Sequence, residues 1–300
     1  MPLDAKSLLL VALGIIAIFY LITVGSAIKR KQREEAATGG IMPTPIGIAT
    51  GFVTDFLDTL GVGSFATTTA IFRFFKSVPD EQIPGTLNVG HTLATIVQAI
   101  IFTQAVDVDA TTLISMIADA TLGAWLGAGV VSSWPRRRVQ FGMGLCLLVA
   151  AGLTLAQALG VVPGGGEALG VSGIKLGAAL VGNFMLGALM TLGIGLYGPC
   201  LILVSLLGMN PKAAFPIMMG SCAFLMPVAS AKFAATGRFN LKASIGLIIG
   251  GIPAVLIAVY IVKSLPLLYV RWLVVAVVLY TAVTLLRSSR ATQPAPLAES

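Results

Sequence analysis

The chain reads as a succession of apolar runs separated by short polar punctuation. Residues 7–28 carry no charge and are followed by Lys29, Arg30, Lys31 and Arg33. At ~1.5 Å per residue this run crosses a hydrocarbon core of about 30 Å. It is longer than a signal-peptide core and lacks a small-residue cleavage site, which predicts an anchor ending in the cytoplasm. The next stretch, 44–75, is too long for one crossing and short for two, with Gly61-Val62-Gly63 near its middle. A re-entrant hairpin of two half-helices, beginning and ending on one side, fits that length. Non-helical backbone is tolerated at membrane depth where protein or a cavity surrounds it. Ordinary crossings are predicted at about 84–104, 110–131 and 139–159, a second hairpin at about 173–207, and crossings near 213–233, 243–263 and 269–287.

The two hairpins are copies. Thr59-Leu60-Gly61-Val62-Gly63-Ser64-Phe65 returns 132 residues later as Thr191-Leu192-Gly193-Ile194-Gly195-Leu196-Tyr197, and Pro79 and Pro84 then fall on Pro211 and Pro216. Each copy holds a same-side hairpin and three crossings. An odd number of crossings inserts the second copy upside down relative to the first. The fold class expected is an all-α polytopic membrane protein with an inverted-topology internal repeat. Each repeat is a re-entrant broken-helix hairpin plus three transmembrane helices, with one extra N-terminal helix. The segments expected are 1–40 (first helix and basic loop), 41–160 (first repeat), 161–172 (Gly-rich periplasmic linker), 173–288 (second repeat) and 289–300 (cytoplasmic tail).

Composition agrees. With 57% hydrophobic residues, 10% charged and a mean hydropathy of +0.96, a soluble domain is excluded, and the continuous runs exclude an alternating-strand barrel. The net charge of +7 is not a nucleic-acid signal, because Lys and Arg gather in particular loops. Arg136, Arg137 and Arg138 mark one cytoplasmic loop, Lys232, Arg238 and Lys242 another, and Arg287 and Arg290 the tail. Asp107, Asp109 and the linker Val162–Gly170, free of Lys and Arg, fall outside; Lys263 and Arg271 run against the scheme. This places the N-terminus in the periplasm and the C-terminus in the cytoplasm. Cys146, Cys200 and Cys222 have no C-x-x-C spacing, so neither a disulfide framework nor a metal site is expected, and no cofactor.

The glycine-centred hairpins are each followed by a proline and a small-residue segment, Gly85-Thr86 with Asn88-Val89-Gly90 and Gly220-Ser221-Cys222. In these features the chain resembles the sulfite exporter TauE/SafE family over about residues 45–287. The resemblance implies a bacterial inner-membrane permease for small sulfur oxyanions or organosulfonates, such as sulfite or sulfoacetate. Family members usually carry a run of glycines at the hairpin tips. Here bulky Phe65 and Tyr197 take matching positions.

An anion at the bilayer midplane needs donors, and helix N-termini supply free N–H groups with about half a positive charge each. The second half-helices start just after the glycines, at Ser64 and near Leu196–Pro199. Their N-termini would face each other across the repeat axis. The candidate substrate-binding residues are Gly61, Gly63, Ser64, Phe65, Thr67, Thr68 and Asn88 in the first half. In the second they are Gly193, Gly195, Tyr197, Cys200, Ser221 and Cys222. Packing between helices is the competing role for the small polar ones.

Asp55, Asp58, His91 and Asp119 lie inside apolar segments, where charge is expensive. Asp55 and Asp58 share one face of a half-helix, and their repeat counterparts are Gly187 and Met190. These four are the candidates for proton coupling. The function expected is a secondary transporter of a small sulfur-containing anion working by alternating access, with the lipid bilayer, the anion and protons as partners. The alternatives are a thiosulfate or reduced-sulfur transporter using Cys200 and Cys222, and a passive anion channel. A single histidine without a companion cluster argues against an enzyme.

Overall fold

The computed structural model describes residues 5–35, 42–79, 82–131, 166–190 and 195–264, with single positions between 141 and 159 and between 269 and 287. The Arg136–Arg138 loop, expected in the cytoplasm, the start of the linker and the C-terminal tail lie outside these residues. Those described form α1 (Ala5–Glu35), α2 (Pro45–Thr59), α3 (Ser64–Phe74), α4 (Ile83–Ala105) and α5 (Ala110–Val131). After the linker come α6 (Gly173–Met190), α7 (Tyr197–Leu206), α8 (Ala214–Thr236) and α9 (Leu241–Ser264). Among the described residues there is no strand ladder, and five helices are long and apolar enough to cross a membrane: α1, α4, α6, α8 and α9.

The apolar surface is disposed as lipid requires. On α1, Leu9, Leu13, Tyr20 and Val24 are buried, while Leu8, Val11, Ile15, Ile18 and Ile22 are exposed. A helix apolar on all faces with one side turned outward suits hydrocarbon, not water. The buried side is held by specific bonds: Tyr20 donates to the Val89 carbonyl, Arg30 to that of Ala234 at 3.0 Å, and Lys31 to that of Phe239.

The chain between hydrophobic runs meets at two ends. At one, Lys6 pairs with Asp107 at 2.7 Å, and the Asp109 N–H donates to Leu169 and the Asn210 N–H to Ala168, both at 2.8 Å. That hydrogen bond from Lys6 holds the exposed Asp107 carboxyl below its ordinary value. At the same end Lys175 donates to the Leu207 carbonyl at 3.2 Å. At the other end the Asn240 N–H donates to Thr86 at 2.9 Å, beside the start of α2.

Helix pairing follows a pattern. α2 lies along α9 and α6 along α5; α4 packs on α8; α4 also touches α9 and α8 touches α5. Exchanging α2–α5 for α6–α9 maps these pairings onto one another. The α2–α9 seam is made by small residues at spacing four, Gly47 and Gly51 against Gly246 and Gly250, which lets the backbones touch. A Cβ on Gly250 would lie 2.0 Å from the Ile48 carbonyl oxygen, and one on Gly51 2.6 Å from Leu247 Cα. The α5–α6 seam is equally close: a Cβ on Gly187 would meet the Ala120 oxygen at 2.0 Å.

Gly250→Leu should therefore destabilise the detergent-solubilised protein by about 1–3 kcal/mol through overpacking. Gly177→Ala, with nothing within 4 Å, should leave the melting temperature unchanged or slightly raised; a thermal-shift assay on both compares them.

Candidate functional site

The first break is built by local rules. Thr44 caps α2, accepting from the Gly47 N–H at 3.1 Å, with Pro45 in the first turn. At the other end the Gly61 N–H reaches the Asp58 carbonyl at 2.8 Å and the Val62 N–H reaches that of Leu57 at 3.0 Å. With Gly61 at φ 95°, this is a Schellman closure. Gly63, at φ 83° and ψ 128°, occupies a region closed to other residues and turns the chain into α3. A glycine has no side chain with which to cap α3. The cap comes from the preceding helix: Asp58 Oδ1 accepts from the Ser64 N–H at 2.5 Å.

The second break is only partly described, and Gly193 lies outside the described residues. Gly195 and Leu196 lead into α7, where, among the described residues, no side chain caps Leu196. Tyr197 reaches across the molecule. Its hydroxyl donates to Gln98 Oε1 at 3.0 Å, and Gln98 Nε2 donates to Thr59 Oγ1 at 2.9 Å. One polar chain thus ties the second tip to α4 and to the end of α2.

Between the tips is a small, partly open pocket. The first tip contributes Gly63, Ser64 and Phe65, the second Gly195, Leu196 and Tyr197. Asp58 and Thr95 add polar groups, and Met190, Cys222 and Met226 make a sulfur-rich wall. The Cys222 thiol lies 3.6 Å from Met190 Sδ. No Lys or Arg is among the described residues that line the pocket.

Of the candidate residues, Gly63, Ser64, Phe65, Gly195, Tyr197 and Cys222 come together here. Asp58 joins them, and the other described candidates stand apart. Gly61 packs towards Leu201, and Thr67 spends its hydroxyl on its own helix, donating to the Ser64 carbonyl at 2.8 Å. Asn88 likewise donates to Pro84 at 2.8 Å. Ser221 accepts from Asn183 at 3.2 Å in the α6–α8 packing, and Cys200 is buried in the core. Thr68 joins a different arrangement: its hydroxyl is 3.0 Å from His91 Nε2, while His91 Nδ1 is 2.9 Å from Asp55 Oδ1. All three are buried. Asp119 is half-buried on α5, away from this group, beside the Phe184 backbone.

Gln98, Thr95, Met190 and Met226 were not among the candidates. The two on α4 carry a signal in the sequence. Asn88, His91, Thr95 and Gln98 recur at spacings of three and four, a polar stripe along one face of an apolar helix.

The model of the family described as sulfite exporter TauE/SafE matches residues 2–155. The chain belongs to that family. No curated protein and no solved structure matches it. TauE/SafE membership and the apolar helices make it a multi-pass membrane protein and a transporter of the sulfite-exporter type. The match spans α1–α5 and so includes the first tip with Asp58; the second tip lies beyond it.

Gly63→Ala should cost about 1–3 kcal/mol of backbone strain at the tip. Its Cβ would have room, since the nearest atom, Tyr197 Cβ, is 3.8 Å away. The expected outcome is a folded, monodisperse protein in size-exclusion chromatography with transport reduced at least several-fold.

Proposed function

We propose that this TauE/SafE protein is a secondary transporter that binds a small sulfur-containing anion, such as sulfite or a short organosulfonate, between the two broken-helix tips. The observation that carries the reading is the pocket itself, walled by Gly63–Phe65 on one side and Gly195–Tyr197 on the other. Two helix N-termini border one small volume, and the partial positive charge of such termini suits a desolvated anion. The space between the tips is narrow, which favours a substrate of few heavy atoms.

Alternating access is the mechanism this architecture supports. The exchange of pairings between α2–α5 and α6–α9 is what a two-fold related repeat produces. The α2–α3 pair begins beside the start of α9 and leads into the start of α4. The α6–α7 pair begins and ends at the opposite end, where Lys175 meets Leu207. That disposition favours two re-entrant hairpins of inverted orientation in a bacterial inner membrane, with the start of α1 on the periplasmic side.

The sulfur wall favours a second reading, a reduced-sulfur substrate such as thiosulfate. Cys222 with Met190 and Met226 offers soft, polarizable contacts to a terminal sulfur. Cys200, off the pocket, has no part in it.

Purified protein in liposomes should take up labelled sulfite saturably, and sulfate and acetate poorly. If thiosulfate is the substrate, Cys222→Ser should reduce its uptake several-fold while Cys200→Ser leaves it intact. Non-saturating currents at channel rates would refute the transporter reading, and absence of flux for every sulfur anion would refute the substrate class.

A further inference from the structure

The anion cradle at the first tip is already occupied. Asp58 Oδ1 sits on the Ser64 N–H, the first donor of α3, at 2.5 Å. The side chain is 2% exposed and lines the pocket, and its other oxygen, Oδ2, is buried with no hydrogen-bond partner among the described residues. A carboxylate on the pocket wall, with one oxygen on a helix N-terminus and the other without a hydrogen-bond partner among the described residues, is placed as a stand-in for the substrate.

We infer that Asp58 competes with the transported anion for the N-terminus of α3, so that the anion binds only after Asp58 has taken up a proton and left the Ser64 N–H. The inference rests on the sulfur-anion reading above and adds its coupling.

The charges around the pocket force the exchange. From its own helix Asp55 faces Asp58 one turn back, and α4 presents His91 together with neutral Thr95 and Gln98. From α7 comes Tyr197 and from α8 Cys222; α3 contributes its backbone N–H, and α9 places Gly251 against Asp55. His91 is the one cationic candidate in this set, and Asp55 holds it at 2.9 Å, with Thr68 on its far nitrogen. That pair is neutral at best, which leaves Asp58 as a net negative charge on the pocket wall. A second anion beside it, without Lys or Arg among the described lining residues, would face unscreened repulsion in a low-dielectric site.

Protonation removes that charge and frees the donor. The cycle balances: a proton from water adds to Asp58, the anion takes the Ser64 N–H, and the cavity opens to the other side. The anion then leaves, Asp58 releases its proton there, and the carboxylate returns to its cap. One proton crosses with each anion. At the repeat position of Asp58 the second half carries Met190, which has no proton to exchange.

The test uses the full-length protein in proteoliposomes with thiosulfate, whose charge does not change over the range pH 5–8, alongside sulfite. Uptake and internal acidification, read by a trapped pH dye, are recorded for wild type, Asp58→Asn and Asp58→Glu. Wild type should acidify the lumen as the anion enters. Its apparent affinity should weaken about tenfold per pH unit once Asp58 is ionised, the slope for one linked proton. Asp58→Asn should bind with an affinity independent of pH and move the anion without acidification, and Asp58→Glu should restore the pH slope. Uptake by wild type that is flat with pH and moves no proton overturns the inference while the anion reading stands. The same holds if Asp58→Asn keeps the wild-type slope. Absence of flux for both anions at every pH, in wild type and variants alike, overturns the anion reading and this inference with it.

Discussion

The broken helices set the problem that the rest of the molecule answers. At membrane depth no water is available for a backbone N–H or carbonyl, so a helix interrupted there must satisfy its ends from within the protein. The first break does this with two backbone closures from Gly61 and Val62 and one carboxylate, Asp58, laid across the gap to Ser64. The carboxylate brings a charge into an apolar bundle, and the charge brings a retinue. Asp55 is bound by His91, His91 by Thr68, and Thr59, Gln98 and Tyr197 form a neutral chain alongside. The polar stripe on α4 exists because these groups need partners, and it falls on the face that α4 turns to the tips.

The two halves divide that task unequally. At repeat-related positions the first half has Asp55 and Asp58 where the second has Gly187 and Met190. Gly187 is spent on backbone contact: its Cα faces the Ala120 carbonyl on α5. Asp55 instead faces Gly251 on α9, where a Cβ would fall 2.1 Å from its Oδ2. The position of Gly251 corresponds in the repeat to Asp119 on α5. Each seam between halves therefore places an acid and a glycine at matched sites, but with the roles exchanged. The site is chemically one-sided, with the carboxylates beside the first tip and the sulfur wall beside the second.

How much of this could be read from the chain depended on the range of the interaction. The limits of α2, α3 and α4 follow from local signals, namely Thr44-Pro45, the Gly61–Gly63 break and Pro84, and the helices start and stop within a few residues of the expected positions. The polar residues of the tips were also legible, because a Ser, a Tyr and an Asp in apolar segments stand out. What they bond to was not. Thr67 and Asn88 turn back to carbonyls three and four residues earlier, a choice made by rotamer and neighbour packing rather than by residue type. Ser221 is engaged by Asn183 from another helix, and Gln98 owes its role to a tyrosine 99 residues away. The capping of α3 by Asp58 falls between these cases. The six-residue separation puts it within reach of Ser64, yet only the turn geometry of Gly61 and Gly63 makes the bond.

The seams also constrain what can move. An alternating-access cycle that rocked the first repeat as one body against the second would have to pull α2 from α9 and α6 from α5. Those seams set backbone against backbone at Gly51, Gly250 and Gly187. Packed small-residue interfaces of this kind slide and open at high cost, since many close contacts are lost together. The bodies that stay intact under the alternating-access reading are therefore the cross-repeat pairs, α2 with α9 and α5 with α6. They would move about the α4–α8 contact that lies between them. α1 fits that division, because Tyr20 and Arg30 bond to Val89 on α4 and Ala234 on α8, the two central helices. Each tip would then travel with a pair assembled from both halves of the sequence, and the Asp58 cap sits where one such pair meets α4.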